Sequence, residues 1–467
     1  MKSDGTIVSA RLVELLRPWL GAGPAYQGVA TGLRSLILDG RLPIGSRIPS
    51  ERVFSSELHM GRITVSSAYD ILRFEGYLSS AGGAGTRVTL PANAPVRPDR
   101  VRDGQHDRWD LTVAALPAPP ALVEALASAS EDIHPYLAGH GLHPMGLPEL
   151  REAVAAHLSK RGLVTSFDQV LITNGALQAW HILLQAFTTP GDRVVVEQPT
   201  YPAVLDAIGT HRRRTVALPV SAGGWEQVSE TATRLAHVTP DGQNPTGFVA
   251  DNDQRKRLVR ALKSDVIVTD ETFADLLLDG SPARPLGTFD SRVVTVGSMS
   301  KAFWSGLRIG WIRADREVIA QLALARAMTD TASPLLEQLV ATWLLRHADD
   351  VLPERCSSVR RNRDALTKSL SSQLPNWRYH LPAAGLFLWV ELPEPGATRV
   401  ASYALDVGLR LTPGPRFMID GTADRWLRLP FILPPDEVDK MVSVLSHSAS
   451  QTGSKPRSSR VQSRWTV

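Results

Sequence analysis

Apolar positions recur at helical spacing in residues 6–20 (TIVSARLVELLRPWL), which predicts a leading helix within residues 1–22. Residues 26–40 (YQGVATGLRSLILDG) repeat the pattern, and Gly40 marks the stop. Ser50 is the expected N-cap of a helix over 51–58. Another helix is predicted over 62–77, with Val65, Ala68, Tyr69 and Leu72 on one face. The stretch YLSSAGGAGTRVTL then reads as two strands around a glycine turn. Residues 23–91 are therefore expected to form an α+β winged helix-turn-helix unit. Residues 92–108 are rich in proline and charge and read as a linker. From 109 to 448, short apolar runs alternate with helical patterns: QVLIT (169–173), RVVVE (193–197), DVIVT (265–269) and RVVTV (292–296). That alternation predicts an α/β domain with a largely parallel sheet. The tail, 449–467, is serine-rich and basic and reads as disordered.

Composition narrows the function classes. The chain has 467 residues, 43% hydrophobic and 21% charged, enough for two or three packed domains. A formal charge of +4 is too small to imply nucleic-acid binding by itself. Cys356 is the single cysteine, so no internal disulfide forms, and a reducing cytoplasmic setting is expected. No apolar run spans a bilayer, the first residues lack a signal pattern, and no metal site is expected.

In the first unit the helix from residue 62 presents Arg62, Thr64 and Ser67 near its start. A helix packed across another offers such residues to the major groove of DNA. Arginine forks onto guanine or phosphate, and hydroxyls reach phosphate or base edges. Gly82, Gly83 and Gly85 let a wing backbone approach the minor groove. A three-helix packing module with exposed arginines fits the same pattern. The order of Tyr26, GRLPIGSRIPSER, GRITVSSAYDILRFEGYL and GGAGT resembles the GntR-type winged helix, although His59-Met60-Gly61 departs from its usual small polar turn. The resemblance implies double-stranded DNA as partner, with contacts from Arg52, Arg62, Thr64 and the wing glycines Gly83 and Gly85.

The second unit turns on Lys301 in GSMSKAFWSGLRIGW. A lysine that loses its proton can form an imine with an aldehyde, and desolvation or nearby positive charge favours that loss. Ser298, Ser300 and Arg308 supply donors suited to an anion. Pyridoxal 5′-phosphate (PLP) combines the aldehyde and the anion, although a surface lysine fits the short motif equally. Asp270 follows an apolar strand, where a carboxylate would pair with a protonated pyridine nitrogen. Asn244 in QNPTG is placed to donate to a ring phenolate, or is a turn asparagine. Asn174, Gly175 and Ala176 open a helix whose N–H groups suit a phosphate. Tyr201 is placed to stack on a ring or to serve as a rim aromatic. Arg428, among apolar neighbours in RWLRLPF, needs an anion: an effector carboxylate, or a structural Asp or Glu.

The series resembles the fold-type I, aspartate-aminotransferase-like PLP enzymes. Its fusion to a GntR-type domain is similar to the MocR family of transcriptional regulators. That resemblance implies a winged helix-turn-helix followed by an α/β aminotransferase-like domain. It also implies PLP as cofactor, an amine, amino-acid-like or vitamin B6 effector, and a head-to-tail homodimer. Two positions depart from the family pattern. Phe273 stands where a tyrosine usually donates to the ring phenolate, and Gly141 where a tyrosine usually reaches the neighbouring subunit's phosphate. Each loss removes a hydrogen bond to a charged group, roughly 1.5–3 kcal/mol. Weaker PLP binding and little transamination are expected. An aminotransferase with a vestigial DNA-binding domain is the alternative, and a cofactor-free dimerisation scaffold a third reading.

Overall fold

The computed structural model describes residues 9–20, 24–38, 41–42, 45–81, 85–89, 108–226, 228 and 231–451. Gly82, Gly83, the linker 92–107 and the tail from 452 lie outside the described residues. The chain divides into two compact units, one drawn from residues 1–112, 394–411 and 443–467, the other from 113–393 and 412–442. The larger unit by this division is discontinuous in sequence. The final helix, Pro435–Gln451, also runs past residue 448, so 449–451 are helical. Among the described residues no helix is long and apolar enough to cross a membrane.

In the first unit, α1 (Ser9–Leu16) precedes α2 (Ala25–Leu38), α3 (Glu51–Glu57) and α4 (Arg62–Phe74), then strands β1 (Leu78–Ala81) and β2 (Gly85–Val88). Ser50 caps α3 by accepting from the Val53 N–H. The α3–α4 turn closes through His59 in the left-handed region (φ 51°), while Met60 packs against the core. Val65, Ala68, Tyr69 and Leu72 are fully buried, as the 3.6-residue pattern predicts. The buried Tyr69 hydroxyl donates to the Pro49 carbonyl at 2.9 Å, tying α4 to the start of α3. The antiparallel β1–β2 wing pairs Leu78 with Val88 and Ala81 with Gly85. The 45–48 segment pins it through Gly45 N–H to Val88 O and Ile48 N–H to Thr86 O.

The leading helix belongs to this core rather than preceding it. Leu12, Leu15, Leu16 and Trp19 share one cluster with α2, α3 and α4. Space is made by missing side chains on α2. A Cβ at Gly28 would lie 2.4 Å from the Trp19 carbonyl oxygen, and one at Gly32 2.5 Å from Leu16.

The second unit is built on an eight-stranded sheet. Its strands are β3 (Val170–Thr173), β4 (Arg193–Gln198), β5 (Arg214–Ser221), β6 (Gly224–Trp225), β7 (Thr233–Val238), β8 (Ser264–Asp270), β9 (Val293–Ser298) and β10 (Gly310–Arg313). They lie in the order β3-β10-β9-β8-β7-β4-β5-β6. The four runs read from sequence are β3, β4, β8 and β9. The core of the sheet is parallel, while β10 runs antiparallel to both β9 and β3. Helix α5 (Ala176–Phe187) buries Ala179, Trp180, Ile182, Leu183 and Leu184 against Val194, Val196, Leu235, Val268 and Val296. Strands buried on both faces read as continuous apolar runs, which is why they were visible.

Gly28→Ala gains about 1 kcal/mol of helix propensity. The backbone clash outweighs it, and such overpacking typically costs about 1–3 kcal/mol. The expected outcome is a lower melting transition for the amino-terminal unit of the full chain, followed by calorimetry, with the transition of the larger unit unmoved.

Candidate functional site

The parallel strands deliver most of the predicted residues at their C-terminal ends, where open α/β sheets place ligands. Gly175 and Ala176 follow β3, Tyr201 follows β4, and Asn244 lies in the loop after β7. Asp270 ends β8 and Ser298 ends β9. Lys301 sits in a single wide turn of π type, Ser300–Trp304, a geometry common at functional positions.

The Lys301 amine is partly buried and donates to the Ala114 carbonyl at 2.8 Å. It lies 5.7 Å from the Phe273 ring centre, so the position that lacks the family's hydroxyl faces the lysine directly. Desolvation lowers its pKa to about 8, and the Arg428 and Arg308 guanidiniums push the same way against Asp270. These four side chains therefore share one electrostatic field. Arg428 is buried between Phe387 and Phe417, 5.6 and 5.1 Å from their ring centres. Its Nη1 approaches the Asn244 Oδ1 at 3.5 Å.

The other end of the site is shaped for an anion. Arg308 takes the left-handed conformation (φ 54°) and donates to the Asn174 carbonyl at 2.9 Å. Gly175 adopts φ 92°, which favours glycine. A Cβ there would meet the Arg308 guanidinium at 2.8 Å. Gly175 supplies no side-chain cap to α5, so the first N–H groups of that helix remain for a ligand. The Ser298 hydroxyl lies 2.9 Å from the Ser300 oxygen and 3.3 Å from the carbonyl of Ile309, the residue after Arg308. Tyr201 N-caps the helix Pro202–Thr210 and is 42% exposed. Among the described residues no hydrogen bond or ring contact ties its side chain to the others.

Residues not anticipated from sequence hold this arrangement. Glu197 is fully buried and accepts from Trp225 Nε1 (2.9 Å), the Thr239 N–H (3.1 Å) and Gln243 Nε2 (3.1 Å). Gln243 also donates to the Pro199 carbonyl at 2.8 Å. The pair thus fastens the segment before Tyr201 to the loop carrying Asn244. Burial raises the Glu197 pKa to about 7, against the pull of its donors. His237 lies 3.9 Å from Asp270 and packs edge-on against Trp180, and burial keeps its pKa low. Arg355 donates to the Ala302, Phe303 and Pro117 carbonyls, bracing the Lys301 turn. The only sequence signal for Glu197 was a charged residue ending an apolar strand. Arg355 lies in a helix of mixed charge and gave none.

Lys301, Arg308 and Arg428 lie in one field with Asp270, beside the donors just described. An aromatic aldehyde bearing a phosphate fits this set. Gly141, at φ 68°, contributes no side-chain donor, and a Cβ there would lie 4.0 Å from Leu335.

In the amino-terminal unit, Arg52 and Arg62 are exposed and make no ion pair among the described residues, and Thr64 is half-buried beside Arg62. The Arg47 guanidinium, unnoticed in the sequence, lies across Gly85 at the turn end of the wing.

Residues 111–445 match the family described as aminotransferase class I and II, and residues 25–88 match the bacterial regulatory proteins of the gntR family. The uncharacterized HTH-type transcriptional regulator YdcR of Escherichia coli is 30% identical over 86% of this chain and 93% of its own length. The probable rhizopine catabolism regulatory protein MocR of Rhizobium meliloti is 29% identical over 62% of this chain and 65% of its own. The larger unit is similar to the crystal structure of a Pyrococcus horikoshii kynurenine aminotransferase in complex with PMP. That match has a TM-score of 0.67 at 26% identity and covers 74% of this chain and 92% of that one. A winged helix followed by an aminotransferase-like body defines a class of fused regulators. The chain belongs to the MocR family of that class.

Two measurements test the site. In protein free of cofactor, the rate of reductive methylation at Lys301, read by mass spectrometry, should titrate with a midpoint near pH 8, against about 10.4 for ordinary lysines. Arg428→Met should move that midpoint upward. Glu197 carries a raised folded-state pKa, so it favours the folded state below its unfolded pKa, and that contribution is lost as pH rises to about 7. Relative to Glu197→Gln, wild-type stability in urea should therefore fall between pH 5 and 8.

Proposed function

We propose that this chain is a transcriptional regulator that binds double-stranded DNA through α3, α4 and the wing, and PLP at Lys301. When bound, PLP supplies an aldehyde that amines attack and a ring that withdraws electrons. Lys301 presents the amine, kept partly unprotonated by desolvation and by Arg428 and Arg308. Asp270 keeps a carboxylate where a ring nitrogen would lie, with one oxygen fixed by the Thr272 N–H at 3.0 Å. Asn244 and Tyr201 line the ring's edge and face. Gly175, Ala176, Ser298, Ser300 and Arg308 take the phosphate, and Arg428 the carboxylate of an amino-acid-like effector. The observation that carries the reading is the shared field of Lys301, Arg428, Arg308 and Asp270, because a purely structural scaffold gains nothing from that grouping of charge.

The protein acts as a homodimer in this reading, arranged head to tail. An effector amine competes with Lys301 while its carboxylate engages Arg428, and this differential contact changes DNA affinity. Phe273 offers no hydroxyl to the cofactor's phenolate, and Gly141 none to a phosphate, so transamination is slow or absent.

Fluorescence anisotropy on duplex DNA selected by the protein, with and without PLP and a panel of amines, tests the reading. DNA affinity should respond to at least one of these ligands in the wild type and lose the response in Lys301→Ala. Affinity blind to all of them would refute the coupling. Turnover of an amino donor with a 2-oxo acid at about 1–1,000 per second would favour an aminotransferase instead.

A further inference from the structure

Helix α4 is strongly two-sided. Val65, Ala68, Tyr69 and Leu72 are fully buried. At 100° per residue, the direction opposite that stripe runs through Ile63, Ser67 and Asp70. Arg62 and Thr64, the residues marked out by the motif, fall on its two shoulders. The centre of the solvent face at the helix start is therefore an isoleucine, 84% exposed. Exposing so large an aliphatic group is unfavourable in the free protein.

Its surroundings say what covers it. The first turn of α4 contains no acidic residue, and the N-cap, Gly61, contributes no side chain. Exposed Arg62 adds positive charge beside it. The helix start thus accepts a polyanion while holding an aliphatic group at the centre. Phe74, 95% exposed near the other end of the same face, differs in each respect. Asp70 and Glu75 lie near it, each paired with an arginine (Arg73 and Arg34), and the helix end there is the negative one.

Of the groups on the floor of the major groove, the one that rewards an aliphatic contact is the thymine 5-methyl. We propose that Ile63 is a specificity-determining residue that packs on the 5-methyl of one thymine in each operator half-site. The inference rests on the DNA-binding reading above. Arg62 and Thr64 position the helix or read flanking groups, and Ile63 selects thymine between them.

The test uses the full chain loaded with PLP and an operator selected from a random duplex library. Each thymine is replaced in turn by deoxyuridine, which deletes only the methyl group, and affinity is measured by anisotropy. For the wild type, one thymine per half-site should show a loss of about fourfold, the weight of one buried carbon. Ile63→Ala should lose that sensitivity and accept other bases there, while Ile63→Val should keep it. The slope of affinity against salt should stay fixed for Ile63→Ala and shrink by about one for Arg62→Ala. Unchanged melting temperatures for the Ile63 variants separate readout from folding.

Duplex binding with the same methyl sensitivity in wild type and Ile63→Ala, or with none in either, overturns this proposal and leaves the DNA reading standing. Failure to bind any duplex overturns both. Unaltered DNA affinity with a changed oligomeric mass in Ile63→Ala would assign the side chain to a protein contact and also overturn it.

Discussion

The cofactor site depends on one electrostatic field in which three cationic side chains meet the carboxylate of Asp270. Lys301, Arg308 and Arg428 face Asp270, and desolvation together with the two guanidiniums lowers the lysine pKa to about 8. In low dielectric, grouped positive charge is unfavourable unless an anion joins it. Glu197 is occupied elsewhere, by Trp225, Thr239 and Gln243. Glu271 is likewise engaged, by Arg161 at 2.9 Å.

The fold makes that arrangement possible by rigidity elsewhere. Parallel strands packed on both faces fix where their ends lie, so Asp270 and Ser298 are positioned by backbone pairing and not by side-chain preference. The antiparallel return of β10 brings Arg308 back over Gly175, whose missing Cβ leaves room for the guanidinium. Arg355 then braces the turn that carries the amine, and the Glu197–Gln243 pair joins the two loops at the ring's edge. Phe273 packs edge-on against Phe387, 5.2 Å away, so the loss of the hydroxyl is offset by aromatic contact in the wall behind Arg428.

The amino-terminal unit solves a different problem with the same economy of means. A domain of this size has little apolar surface to bury, and α1 with Trp19 enlarges its core through the small residues Gly28 and Gly32. With its inner face spent on that core, α4 is free to present Arg62 and Ile63 outward.

By itself the sequence determined which segments fold and which residues carry charge or a reactive group. The apolar runs of β3, β4, β8 and β9, the amphipathic period of α2 and α4, and the Ser50 cap are local signals, written in consecutive residues. Lys301, Asp270, Asn244, Arg308 and Arg428 were legible because each stands in a short motif. Tertiary structure alone decided their mutual field, since residues 31 positions apart, such as Asp270 and Lys301, meet only through strand order. It also decided the roles of Glu197, His237 and Arg355, whose partners are distant in the chain, and the place of α1 in a shared core. Arg62 and Ile63 are neighbours in sequence, yet which of them occupies the centre of the exposed face depends on which stripe of α4 is buried. Burial is a property of the packed molecule, and adjacent letters do not carry it.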